Sequence, residues 1–204
     1  MKKIGFIDYR LDEWHANNYP AWIAQACRET GLDWEVGYAW AEEEAPQGLL
    51  STREWCDKFG VTPCDTLEEV CERSDALLIL APSNPEKHLP YAQRALAYGK
   101  NTYIDKTFAP DARQAEEIFA LSRRYGAKIF STSALRFATE LQGLEGAHSV
   151  YVTGGGSNLE EYCIHILEMI VCVMGTGAAQ VRYEGDLGQG IGHILKRDFF
   201  FIML

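Results

Sequence analysis

Residues 76–108, ALLILAPSNPEKHLPYAQRALAYGKNTYIDKTF, decide the fold. Ala76–Leu80 is an apolar run of the kind that forms a strand buried on both faces. A Pro/Ser/Asn turn at Ala81–Pro85 breaks that run. A helical pattern follows, with Leu89, Ala92, Ala95 and Leu96 on one side, and Gly99 stands where a helix stop belongs. Asn101–Ile104 reads as a second short strand, which delivers Asp105 and Lys106 at its carboxyl end. The whole is a β-α-β unit, and open parallel sheets bind ligands at the carboxyl ends of such strands.

Outward from this unit the same alternation continues. Lys3–Asp8 is a first strand, and Tyr19–Thr30 a helix with Trp22, Ile23, Ala26 and Cys27 at helical spacing, closed by Gly31. Asp33–Trp40 is the next strand, and Thr52–Phe59 a short helix ended by Gly60. Thr66-Leu67-Glu68-Glu69 has capping-box spacing and opens a helix through Arg73. After Pro110, Asp111 starts a helix that runs to Tyr125 with Gly126 as its stop, and Ala127–Thr132 is a further strand. This order implies an α/β fold, a Rossmann-like doubly wound parallel sheet with right-handed crossovers. Residues 1–136 read as a dinucleotide-binding domain and 137–204 as a shortened α+β domain for substrate or oligomerisation.

The pattern changes after Phe137. Ser149–Thr153 is a strand, Gly154–Asn158 a glycine-rich turn, and Leu159–Met174 an amphipathic helix. Its apolar stripe is Leu159, Tyr162, Cys163, Ile166, Leu167, Ile170, Val171 and Met174. Val181–Glu184 is another strand, followed by the glycine-rich Gly185–Gly192 and a tail ending Phe199-Phe200-Phe201-Ile202-Met203-Leu204. Burying about three of the tail's large side chains would contribute roughly 4–9 kcal/mol before ordering costs. A small sheet with an unprotected edge has little core to receive them, so the tail is expected in a subunit interface of a homodimer or higher homo-oligomer.

Composition narrows the function. The formal charge of −10 over 204 residues argues against nucleic acid or an anionic membrane as partner. The apolar run before Asp8 is too short for a signal peptide, and no stretch of about 18 apolar residues exists to span a membrane. The six cysteines contain no CxxC pair and read as reduced, packed thiols of a cytoplasmic protein, with no metal expected.

Several segments taken together resemble the glucose–fructose oxidoreductase/inositol dehydrogenase (Gfo/Idh/MocA) family. They are Ala81-Pro82-Ser83-Asn84 with His88, then Ala95–Lys100, then Asp105-Lys106-Thr107, continuing through Ala115–Gly126 and Ser133–Phe137 and more faintly to Gly175. The resemblance implies an NAD or NADP cofactor and a small-molecule substrate. It places Ala81, Pro82, Ser83 and Asn84 along the cofactor, with Asp8, Tyr9, Arg10, His88, Asp105, Lys106 and Arg136 as the other candidate cofactor contacts. Arg136-Phe137 resembles the end of an Asn-x-Arg-Phe segment at the family's domain junction. The family's Glu-Lys-Pro carries a cis Lys-Pro bond; Thr107 in place of proline makes cis cost about 2.5–4 kcal/mol. The glycines of G-x-G-x-x-G are missing after the first strand, where Asp8-Tyr9-Arg10-Leu11-Asp12 stands and Gly5 falls too early, inside the strand. Asp8 would face a pyrophosphate unfavourably, so weak dinucleotide binding is expected. Glu42, Glu43 and Glu44 follow the second strand, where a ribose-binding acid would sit, although three acids in a row more often form a solvated turn.

The candidate catalytic residues are Lys106, His165 and Glu161. Glu161, His165 and Glu168 share one helix face, a solvated face on spacing alone. The resemblance makes His165 an acid–base, Glu161 its orienting carboxylate, and Lys106 the donor to a substrate oxygen. His88 is also suited to a packing role. The implied activity is hydride transfer between nicotinamide and a hydroxyl or carbonyl carbon of a sugar or polyol. The alternative is a degenerate or truncated relative retained for binding or assembly.

Overall fold

Strand β1 (Lys2–Asp8) pairs in parallel with β2 (Trp34–Ala41) on one side and β4 (Ala76–Ile79) on the other. In this computed structural model residues 1–147, 149–154, 159–186, 189–196 and 199–203 are described. The first sheet has the order β3-β2-β1-β4-β5-β6, with β3 at Thr62–Pro63, β5 at Asn101–Ile104 and β6 at Ile129–Phe130. That is the doubly wound order, reversing direction between β1 and β4. The pair Thr62–Pro63 was not expected from sequence; it is too short to carry periodicity.

Helices α1 (Trp14–Thr30), α2 (Thr52–Phe59), α3 (Leu67–Arg73), α4 (His88–Ala95) and α5 (Ala112–Tyr125) connect the strands. Ser51 and Glu54 close a full capping box on α2, and Thr66 and Asp111 cap α3 and α5 through the backbone amides of Glu69 and Gln114. The glycines read as stops, Gly31, Gly60, Gly99 and Gly126, all adopt left-handed φ between 67° and 71°.

Two apolar clusters sandwich the sheet. Phe6, Leu11, Val36, Ala39, Trp55 and Leu80 belong to one; Ile7, Leu77, Ile79, Leu96, Ile104 and Ile118 belong to the other. Strand alternation in β1 sends neighbouring residues to opposite clusters. Gly5 faces α3 so closely that a Cβ there would lie 2.3 Å from Ser74 Oγ and 2.4 Å from Val70 Cγ1. This glycine serves helix–sheet packing.

Helix α1 starts five residues before the expected Tyr19. The apolar spacing of Trp22, Ile23, Ala26 and Cys27 does not mark that earlier start. Instead Glu13 caps the helix, its carboxylate accepting from the backbone N–H groups of His15 and Ala16.

The chain divides into two compact units, Met1–Ser131 and Thr132–Leu204. In the second, helix α6 (Leu159–Met174) buries Ile166, Ile170, Val173 and Met174 against a cluster that includes Leu141, Val150 and Val152. Val173 joins the buried face, whereas Tyr162 of the expected stripe is exposed. Strands β7 (Val150–Val152), β8 (Ala178–Asp186), β9 (Gln189–Lys196) and β10 (Phe199–Met203) form a sheet in the order β7-β10-β9-β8. The glycine-rich segment Gly185–Gly192 thus contributes to two strands, β8 and β9. The tail strand β10 lies inside the sheet, parallel to β7 and antiparallel to β9, so the edges are β7 and β8. The turn residues Gly155–Asn158, together with 187–188 and Leu204, lie outside the described residues.

Candidate active site

The carboxyl edge of the first sheet gathers Asp8, Ala41, Leu80 and Asp105 from four neighbouring strands. Backbone bonds fix them: Leu80 N–H donates to Ile7 O at 2.8 Å, Asp105 N–H to Ile79 O at 2.9 Å, and Glu42 N–H to Asp8 O at 3.0 Å. Every candidate residue of this unit lies along that edge.

Asp8 is almost fully buried, at 1% exposure. Its Oδ1 accepts from the backbone N–H groups of Tyr9 (2.6 Å), Ala81 (3.0 Å) and Arg10 (3.4 Å), while its Oδ2 is buried without a hydrogen-bond partner. Burial, and then the charge of Glu13, push its carboxyl well above the ordinary range. Ala81 is held at φ 49°, a left-handed conformation uncommon outside glycine, by this bond to Asp8. The next residues, Pro82, Ser83 and Asn84, form a tight turn closed by Asn84 N–H to Ala81 O at 2.9 Å, and the Asn84 side chain donates to Glu86.

Tyr9 carries a cation on each side, with Arg10 at 5.0 Å and Lys87 at 5.1 Å from its ring centre. Lys87 also pairs with Glu42 at 2.8 Å, and Tyr91 donates its hydroxyl to the same carboxylate. Hydrogen bonds from Lys87 and Tyr91 hold Glu42 below the ordinary carboxylate range. Of the three acids after β2, Glu42 is therefore engaged at the position where a ribose-binding acid would stand.

His88 is fully buried, with Nε2 2.7 Å from Leu80 O and Nδ1 3.1 Å from Phe108 O. It ties the end of β4 to the segment that follows Lys106, a structural role. Lys106 is half-buried one residue beyond Asp105, and the Lys106–Thr107 peptide bond is cis.

A cluster unforeseen from sequence surrounds Asp105. Tyr103 donates its hydroxyl to Asp105 Oδ1 at 2.6 Å, and His15 Nε2 lies 3.6 Å from Asp105 Oδ2. The other imidazole nitrogen faces Glu13 Oε2 at 3.0 Å. Burial, then the charge of Asp105, raise the Tyr19 and Tyr103 hydroxyls above their ordinary value. The chain Glu13–His15–Asp105–Tyr103 spans residues about ninety positions apart, which is why no local motif reveals it. One signal was available: Asp8, Arg10 and Glu13 stand at the spacing of the three fingerprint glycines, between a strand end and a helix start.

In the second unit, His165 and Glu161 are half-buried on α6. Ser133 Oγ lies 2.6 Å from His165 Nδ1, a partner the sequence reading missed. Arg136 pairs with Glu168 at 2.7 Å on the same helix. Lys106 belongs to the first unit; Glu161, His165 and Arg136 belong to the second.

Residues 25–133, just over half the chain, match the Gfo/Idh/MocA model, an oxidoreductase family with an NAD-binding Rossmann fold. The chain belongs to this family. Among relatives of the Gfo/Idh/MocA type, the uncharacterized oxidoreductase YhhX of Escherichia coli is 37% identical over 71 residues, 35% of this chain and 21% of YhhX. The dTDP-3,4-didehydro-2,6-dideoxy-α-D-glucose 3-reductase of Actinomadura kijaniata is 29% identical over 83 residues, 38% of this chain and 25% of the reductase. The matched stretches thus span about a fifth and a quarter of these relatives. The fold also matches the WlbA dehydrogenase of Thermus thermophilus, solved with NAD and α-ketoglutarate, at a TM-score of 0.73 and 17% identity over all of this chain and 72% of that one.

The sheet order, its switch between β1 and β4, and the Ala81–Asn84 turn fit a dinucleotide laid across the carboxyl edge. The turn between β1 and α1 does not fit its pyrophosphate, because carboxylates already hold the amides there.

Proposed function

We propose that the chain is an NAD- or NADP-linked oxidoreductase acting on a hydroxyl or carbonyl carbon of a sugar, polyol or similar small molecule. The observation that carries this reading is Lys106 placed two residues beyond the end of the interior strand β5, beside buried Asp105, in a chain of this family. A sugar-type substrate is supported by the relative from Actinomadura kijaniata, whose own name specifies a deoxysugar reductase. The family match favours an oxidoreductase over a degenerate binding relative.

A nicotinamide supplies or accepts the hydride when bound. The protein's own task is to hold the substrate oxygen and move its proton. Lys106 would donate a hydrogen bond to that oxygen and stabilise negative charge developing on it. In the second unit, His165 is the candidate acid–base group, its ring oriented by the Ser133 hydroxyl. Glu161, one helical turn away on the same helix, is proposed as a carboxylate that orients the imidazole. His88 would hold the Lys106 segment in place through Phe108.

We place the protein in the cytoplasm as a homo-oligomer. The nine-residue edge strand β8 is the natural seat for a second copy. None of the described helices is long and apolar enough to cross a membrane.

The test is reduction of NAD+ or NADP+ across a panel of sugars, polyols and hydroxy acids. Turnover that depends on Lys106 and His165 supports the reading, and no reduction with any member would overturn it.

A further inference from the structure

A fingerprint glycine works by having no side chain, so that backbone amides and a phosphate can meet. In this chain Asp8, Arg10 and Glu13 occupy the three glycine positions, between the last residue of β1 and the first of α1. Two of these side chains are anions, and they have taken the amides. Glu13 accepts from His15 N–H at 2.8 Å and from Ala16 N–H, the donors at the N-terminus of a 17-residue helix whose dipole favours negative charge. Asp8 accepts from Tyr9, Arg10 and Ala81.

A second observation concerns surplus charge. Asp8 Oδ2 and Asp105 Oδ2 are both buried without a hydrogen-bond partner, in residues 1% exposed. Arg10 Nε in the same turn is likewise buried without a partner, and His15 Nε2 lies 3.6 Å from Asp105 Oδ2. A pyrophosphate arriving there meets amides already held by Asp8 and Glu13, and gains those amides only when one of the two carboxylates leaves. Glu13 is the one that can leave. Asp8 is locked in a strand end, whereas Glu13 is half-buried on a rotatable side chain and already faces His15 Nδ1 at 3.0 Å.

We propose that Glu13 is a built-in competitor for the cofactor, and that a dinucleotide enters by displacing its carboxylate from the N-terminus of α1. This rests on the NAD(P)-linked reading above. Affinity for the cofactor is then set by an exchange of one anion for another at the same amides, and removing the resident anion tightens binding.

Calorimetric titration of NADH and of NADPH into the full chain tests this with four proteins: wild type, Glu13→Gln, Glu13→Gly and Glu29→Gln. Gln keeps a capping oxygen but loses the charge, and Gly frees the amides at little cost to an N-cap. Glu29→Gln removes the same charge from the far end of α1, about 24 Å away along the helix. The expected result is binding roughly tenfold tighter in Glu13→Gly, about threefold tighter in Glu13→Gln, and unchanged in Glu29→Gln. Equal or weaker binding in both Glu13 variants overturns the proposal and leaves the oxidoreductase reading standing, as does equal tightening in Glu29→Gln. Absence of binding of either nucleotide to all four proteins overturns the NAD(P)-linked reading and this proposal with it.

Discussion

Two stretches meet at the carboxyl edge of the same sheet and treat charge in opposite ways. From Ala81 to Phe108 the chain forms a tight turn, a buried histidine and a lysine just past the strand, with carbonyls and amides paired locally. From Asp8 to Glu13 side chains stand at the spacing of the fingerprint glycines, and two carboxylates accept from the backbone amides there. The difference shows that a fold can hold an anion-binding geometry constant while changing what fills it. The amides must be satisfied by something, and here the chain satisfies them itself.

The largest expected effect falls on the Ala81–Phe108 side. Lys106→Ala on that side, and His165→Ala in the second unit, should each lower kcat by about 10²–10⁴-fold in the oxidoreductase assay. An unchanged melting temperature would show that the loss is chemical. Activity equal to wild type in either variant would remove that residue from the mechanism.

Gly5→Val sharpens the comparison from the other side, by asking what glycine does in β1. The added side chain would press on Val70 and Ser74. Overpacking of this kind costs about 1–3 kcal/mol, and for a chain of this size each kcal/mol lowers Tm by roughly 2–4 °C. Thermal melts without loss would show that α3 yields and that Gly5 is not a packing glycine.

How far the sequence reveals all this follows the same divide. The unit Ala76–Ile104 and the helix stops were legible because apolar runs, caps and left-handed glycines are local signals. The start of α1 was not, because Glu13 caps it by a carboxylate and the helical spacing of Trp22, Ile23, Ala26 and Cys27 lies further along. The Glu13–His15–Asp105–Tyr103 chain was invisible for a different reason: the sheet brings together residues that share no periodicity. Ser133 and His165 likewise meet across 32 positions. Lys106 and His88 were legible through family resemblance, and Asp8 was noted as an obstacle without its amide partners being foreseen.

Ser133→Ala should lower kcat by about tenfold with KM little changed, as expected for a hydroxyl that orients a proton-transfer group. A pH–rate profile identical to wild type with undiminished kcat would show that Ser133 does not position His165.

The smallest effect is on stability. Asp8 has a carboxyl raised above its ordinary 3.8 by burial and by Glu13. The folded chain therefore binds that proton more strongly than the unfolded one, so the buried charge costs stability at neutral pH. That cost fades as pH falls through the raised value toward 3.8. Asp8→Asn should accordingly be more stable than wild type by roughly 1 kcal/mol at pH 8, with the gap narrowing toward pH 4. A gap that is constant or widens on acidification would contradict this account of Asp8.

The most direct test of the central claim, that this edge takes a dinucleotide in competition with the chain's own carboxylates, is hydrogen–deuterium exchange of the wild-type protein at saturating NADH. The account predicts slowed exchange over residues 80–88 and 105–109, together with altered exchange at the His15 and Ala16 amides as Glu13 gives way. Bound NADH that leaves all of these segments unchanged, or protects the opposite edge of the sheet, would contradict it.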